Sequence, residues 1–211
     1  MKNKAYPYCN PPQMADLKDM IERLARDKAE DTAFVYPCET GEMKKTYLDL
    51  KEDIYAFGSW MYSKKLKNKH VAVIGENSYE WLIVFFASIL GGNVAVGIDK
   101  SLPEDEIAAL SKIGEVDAAF ITDTYFDKLA KKVSKKSYNL KNLDEILSEG
   151  RRLVREEKTD FAAYELQQDD TAAILFTSGT SGVSKGVELT NRNIAYEIVH
   201  TSMLYEPKGG V

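Results

Sequence analysis

The chain is poor in the residues that most often build crosslinks and metal centres. Its 211 residues include two cysteines, Cys9 and Cys38, and two histidines, His70 and His200. Two thiols are too few for a disulfide framework, nothing supports a bridge between them, and no Cys/His spacing suits zinc. The opening Met1-Lys2-Asn3-Lys4-Ala5-Tyr6 lacks the apolar segment of a secretory signal. Free thiols in a reducing cytoplasm are therefore expected. A surplus of positive charge is also missing: 28 Lys+Arg face 33 Asp+Glu, for a net charge of −5. That balance argues against a nucleic-acid partner. The pairs Lys64-Lys65, Lys131-Lys132 and Lys135-Lys136 read as solvated helix ends. Nor is there an unbroken apolar run of membrane length. The stretch 81–98 carries no charge, but Gly91-Gly92-Asn93 divides it into a buried helix and a buried strand. Neither half would span a bilayer, so any membrane contact would be peripheral.

What is present is a core. Hydrophobic residues make up 44% of the chain and charged residues 29%, enough to bury a globular interior. After an irregular lead containing Pro7, Pro11 and Pro12, the spacing of Met14, Leu17, Ile21 and Leu24 predicts a helix over 14–26. Residues 32–36 and 44–47 predict an antiparallel pair of strands. Leu50, Ile54, Phe57 and Met61 then form the core-facing stripe of a second helix.

From residue 70 strand and helix alternate. Strands are expected at 71–75, 94–98 and 117–121, with helices from 79 to 90 and from about 104. Asn77-x-x-Glu80, Ser101-x-x-Glu104 and Asn142-x-x-Glu145 have capping-box spacing, and the last predicts a short helix ending at Gly150. Residues 151–158 read as a charged connector or a helix extension. Asp169-Asp170 reads as a turn, with a metal site as its rival. Thr190 or Asn191 caps a final helix carrying Ile194 and Ile198. The alternation predicts an α/β fold: a doubly wound, mostly parallel sheet with flanking helices, plus a small N-terminal β-hairpin region.

The stretch with chemistry in it is Thr177-Ser178-Gly179-Thr180-Ser181-Gly182-Val183-Ser184-Lys185-Gly186, set between the apolar run 171–176 and the extended 187–189. Glycines let backbone N–H groups turn toward a ligand, hydroxyls add donors, and the lysine adds a mobile positive charge. Together they suit a polyphosphate. A Walker A loop does not fit, because Ser184 stands at its second glycine and Gly186 follows the lysine. A nucleophile elbow does not fit either, because Val183 stands where G-x-S-x-G ends in glycine. A plain surface turn remains the bland alternative.

Thr177 to Gly186 resembles the phosphate-binding signature of the adenylate-forming (AMP-binding) superfamily, roughly [ST]-S-G-[ST]-[ST]-G-x-P-K-G. The departure is Ser184, where proline is usual. Residues 46–50 resemble that superfamily's T-Y-x-[ED]-L element. Residues 71–107 resemble its second core block, with Gly97-Ile98-Asp99 in place of Pro-x-Asp. The wording of both blocks is most similar to long-chain acyl-CoA synthetases. The resemblance implies the N-terminal portion of an adenylation domain over 1–211, with a hairpin and lead-in at 30–50 and an α/β core at 70–205. It implies ATP, Mg²⁺ and coenzyme A as reaction components and a carboxylic acid, most readily a fatty acid, as substrate. ATP phosphates would be held by Thr177, Ser178, Gly179, Thr180, Ser181, Gly182, Lys185 and Gly186. The family's later glutamate, ribose-binding aspartate and catalytic lysine segments have no counterpart in the 211 residues. The expectation is therefore a fragment with no catalytic residue of its own, inactive alone and prone to self-association. Three rivals stay open: a non-enzymatic fragment that binds nucleotide or a partner, adenylation of another acid for a carrier protein, and a different phosphate-binding enzyme on a doubly wound sheet.

Overall fold

Strands without a polar face must be covered on both sides, and the central strands of this protein are. The computed structural model describes residues 14–38, 41–177 and 184–204. Helix α1 (Leu17–Asp27) precedes an antiparallel pair, β1 (Thr32–Cys38) and β2 (Gly41–Thr46). There follow α2 (Tyr47–Ser63), β3 (His70–Ile74), α3 (Tyr79–Leu90), β4 (Val94–Gly97), α4 (Glu104–Ile113), β5 (Ala118–Ile121) and α5 (Asp123–Val133). The described chain continues with β6 (Ser137–Asn139), α6 (Leu143–Arg155), β7 (Thr171–Thr177), β8 (Lys185–Thr190) and α7 (Asn191–Leu204).

The main sheet has the order β6-β5-β3-β4-β7-β8, parallel throughout except for the antiparallel β8. Alternation within each strand sorts the core into two layers. Val71, Val73, Ala95 and Phe120 pack with α1, α2, α3 and α6. Ala72, Ile74, Val96 and Ile121 pack with α4 and α5 on the other face. Connections that step toward β4 and β7 use the first face, and those that step back toward β5 and β6 use the second. That is the arrangement right-handed crossovers require. Gly91-Gly92-Asn93 does divide the uncharged stretch: Gly92 has φ 69°, and buried Asn93 accepts from the Lys69 N–H and donates to the Leu66 carbonyl. No helix among the described residues is long and apolar enough to cross a membrane.

Local signals were partly displaced. The Thr46/Asp49 capping box opens α2, and Leu50, Ile54, Phe57 and Met61 are all buried. In α1 the buried line is Leu17, Ile21 and Ala25, with Leu24 only half-buried and Met14 ahead of the helix. Ser78, not Asn77, caps α3 by accepting from the Trp81 N–H. Ser101 caps nothing; it donates to Asp99, and α4 relies on Glu104, Asp105 and Glu106 in its first turn, where negative charge suits the helix dipole. Helix α6 runs through Gly150 to Arg155. The glycine marks a crossing and not an end: a Cβ there would stand 2.0 Å from the Ala56 carbonyl oxygen of α2. Backbone cannot step aside cheaply, so Gly150→Ala should cost about 1–3 kcal/mol by overpacking. A lowered urea midpoint at unchanged m would register it; an unmoved midpoint would place the crossing elsewhere.

Two buried anchors bind these layers together. The Asp53 carboxylate, 1% exposed, accepts from the Tyr79 hydroxyl at 2.8 Å and pairs with Lys45 at 3.0 Å and with Arg151. One carboxylate thus ties β2, α2, α3 and α6. Burial, reinforced by the neighbouring Asp53, pushes the Tyr79 hydroxyl far above the ordinary tyrosine value and keeps it a donor. The second anchor is Phe161, which lies edge-on to Tyr55 and Tyr62 and sits against Gly58 and Gly91.

Candidate phosphate-binding site

The apolar run 171–176 has one role in the sheet and another at its end. As β7 it lies parallel to β4, with Ala95 opposite Ala173 and Gly97 opposite Leu175. That pairing carries its C-terminal end to the carboxyl edge of the parallel strands, where open α/β sheets bind ligands. The chain then returns as β8, with Thr177 facing Lys185 and Phe176 facing Gly186 across the ladder. The two ends of the expected phosphate loop are therefore neighbours. Ser178, Gly179, Thr180, Ser181 and Gly182 lie outside the described residues.

The described loop residues have distinct surroundings. Thr177 and Lys185 are exposed, and Lys185 forms no ion pair among the described residues. Its charge is available to an anion. Gly186 has a packing reason as well: a Cβ would stand 3.2 Å from Ile174 Cγ2 and 3.3 Å from the Phe176 ring. The Ser184 hydroxyl donates to Glu106 Oε1 at 3.3 Å, fastening the lysine end of the loop to the first turn of α4. Sequence reasoning missed Glu106. No local pattern links it to Ser184, which lies 78 positions further on.

A polar cluster lies along the same carboxyl edge. Glu76, after β3, accepts from the Thr122 hydroxyl at 2.9 Å. Lys100, after β4, stands 3.8 Å from Glu76 and donates to the Tyr125 hydroxyl at 3.4 Å. Partial burial opposes ionisation of Glu76, but its hydrogen bonds and Lys100 outweigh that and hold its carboxyl below the usual range. The Tyr125 hydrogen bond, helped by Glu76, holds Lys100 above the usual lysine value. These groups satisfy one another and brace the strand ends. Asp169 pairs with Arg192 at 2.8 Å in the turn before β7. Among the described residues no three His, Cys, Asp or Glu side chains come together to hold a metal.

Three comparisons bear on this geometry. The family described as AMP-binding enzyme matches residues 21–209. A long-chain-fatty-acid–[acyl-carrier-protein] ligase of Arabidopsis thaliana is 25% identical over 221 aligned positions, covering 91% of this chain and 30% of that protein. A D-alanine–D-alanyl carrier protein ligase of Bacillus cereus is 26% identical over 175 positions, covering 82% of this chain and 32% of that one. The chain thus spans about a third of the length of these relatives. Among solved structures, a long-chain-fatty-acid-CoA ligase of Archaeoglobus fulgidus superposes with a TM-score of 0.76 at 22% identity, over 96% of this chain and 42% of that one. At that identity the likeness speaks for the fold.

Proposed function

Because the chain belongs to the AMP-binding enzyme family, whose members are adenylate-forming ligases that use ATP and typically Mg²⁺, we propose that residues 177–186 hold the phosphates of ATP. In the proposed reaction a substrate carboxylate oxygen attacks the α-phosphorus. The bond to the bridging oxygen breaks, and pyrophosphate leaves with its electron pair. An acyl-adenylate results; the sulfur of a thiol acceptor then bonds to its acyl carbon, the bond from that carbon to the phosphate oxygen breaks, and AMP leaves with the electron pair while the thiol proton is released. This chain's share is the leaving group. Hydroxyls of Thr177, Ser178, Thr180 and Ser181 donate to phosphate oxygens, Gly179, Gly182 and Gly186 allow the backbone close, and Lys185 offsets negative charge. Preorganised donors and a fixed cation act most strongly where charge develops in the transition state. Mg²⁺ would arrive on the phosphates, since the described residues offer no carboxylate cluster of their own. The observation that carries the reading is the ladder pair Thr177–Lys185 at the sheet's carboxyl edge, with the lysine exposed and unpaired among the described residues.

Residues 70–205 form the nucleotide-binding core in this reading, and 30–50 an accessory hairpin. The substrate is a carboxylic acid, and a long-chain fatty acid with coenzyme A as acceptor is the reading the sequence wording favours. A second reading has support of its own: both curated relatives named above charge a carrier protein, one with a fatty acid and one with D-alanine.

The test is nucleotide binding by this chain. Mg-ATP at millimolar concentration should slow hydrogen exchange across residues 177–186. Lys185→Ala should weaken ATP about 10- to 100-fold, the worth of one charged hydrogen bond. Equal affinity in the variant, or ATP binding that protects another segment, would move the phosphates elsewhere.

A further inference from the structure

Helices α2 and α6 touch where Gly150 meets Ala56 and leave a groove of about 400 Å³ beside the crossing. It is built from two ridges at helical spacing: Leu48, Lys51, Glu52 and Tyr55 on α2, and Arg151, Val154 and Arg155 on α6, with buried Ala56 at its base. Such spacing puts side chains one turn apart on a shared face. Leu48 and Val154 are among the large hydrophobic residues the fold leaves exposed, at 37% and 44%.

The charges around this floor are one-sided. Arg151 is committed to buried Asp53. Lys51 lies 5.5 Å from the centre of the Tyr55 ring, and neither it nor Arg155 forms an ion pair among the described residues. Against them the lining holds one carboxylate, Glu52, and at the margin the Tyr55 hydroxyl donates to Glu22. Two cations without an ion pair among the described residues therefore flank an apolar trough on a chain whose net charge is −5.

We propose that this groove binds a single-chain carboxylate amphiphile, a free fatty acid, with its tail over Leu48, Tyr55 and Val154 and its headgroup between Lys51 and Arg155. Size selects the occupant. The volume lies in the range of small-molecule sites, about 300–1,000 Å³. A specific protein partner needs about 1,000 Å² of buried surface, and two exposed aliphatic side chains with half of a tyrosine offer far less. The headgroup follows from the cations, and Arg suits a carboxylate through its paired donors. The site shares no lining residue with 177–186 and does not depend on the ATP reading.

Equilibrium dialysis of this chain with laurate, octanoate and 1-dodecanol tests the proposal. Laurate should bind more tightly than octanoate by about three- to fourfold per methylene buried, and more tightly than dodecanol by at least about tenfold. Arg155→Glu and Leu48→Ser should each weaken laurate about tenfold or more. Both positions are exposed, and circular dichroism would confirm that each variant folds. Lys185→Ala should leave laurate binding unchanged, whatever it does to ATP. Equal laurate affinity in the chain and in Arg155→Glu would overturn the site. So would dodecanol binding as tightly as laurate. Retention by anionic phosphatidylglycerol vesicles without binding of monomeric laurate would replace a free acid by a lipid surface and overturn the proposal equally.

Discussion

Replacing Lys45 and Arg151 together by methionine should lower the folding stability of this protein by about 3–5 kcal/mol, the usual cost of leaving a buried charge without its partners. Asp53 is 1% exposed, whereas the side chains of Lys45 and Arg151 are 23% and 43% exposed. The asymmetry decides which change hurts most. The cations can reach water when their partner goes, but the carboxylate cannot when they go. Asp53→Ala alone should therefore cost less than the double change. Its loss still strands the buried Tyr79 hydroxyl, worth about 1–3 kcal/mol. Adding Asp53→Leu to the double variant should restore part of the stability, because an apolar set can replace a buried ion cluster. Urea unfolding of the four proteins would resolve these differences. A double variant within about 1 kcal/mol of the parent would mean that water reaches Asp53.

Phe161→Ala should be comparably damaging, at about 3–5 kcal/mol. The ring is 2% exposed and fills a seat that two glycines leave open: a Cβ on Gly58 would stand 2.1 Å from it, and one on Gly91 2.7 Å. Tyr55 and Tyr62 close the sides, with ring centres 5.6 and 5.4 Å away. Helices α2 and α3 cannot collapse into the space without breaking their own packing, so a cavity remains. For a chain of this size the expected fall in Tm is about 6–20 °C. A fall of only one or two degrees would show that the seat refills. The effect should extend to the strand ahead of the loop, because Phe161 is the buried point of the connection between α6 and β7.

The hydrophobic periods made most of this architecture legible. The strands expected at 71–75, 94–98 and 117–121 form within a residue of those bounds, as β3 (His70–Ile74), β4 (Val94–Gly97) and β5 (Ala118–Ile121), because their apolar runs have no polar face and the structure covers them on both sides. The antiparallel pairs were legible only in part: the return strand expected at 44–47 runs Gly41–Thr46 with Tyr47 opening α2, and β8 extends the expected 187–189 to Lys185–Thr190 with most of its residues exposed. What escaped depends on tertiary partners. Strand β6 is three residues, Ser137-Tyr138-Asn139, without an apolar run; its pairing with β5 and the stacking of Tyr138 on Phe120 make it a strand. Gly150 reads as a stop by propensity and is a close approach by packing. Of the candidate site, the sequence named the loop and its lysine. It could not place Glu106 against Ser184, because that contact needs the sheet to bring them together.

The position of β7 carries a consequence for the order of assembly. The β7–β8 pair joins residues close in sequence and can form by local closure. Seating it against β4 joins Ala95 to Ala173, about 80 positions apart, and must overcome far more chain entropy. The units β3-α3-β4 and β5-α5-β6 are nearly local by comparison. Docking of the loop-bearing hairpin is thus expected late on the folding route, so weakening the β4–β7 seam would chiefly speed unfolding and leave the folding rate little changed. The stretch proposed to meet the nucleotide then sits on the last strand to close, where the chain opens first.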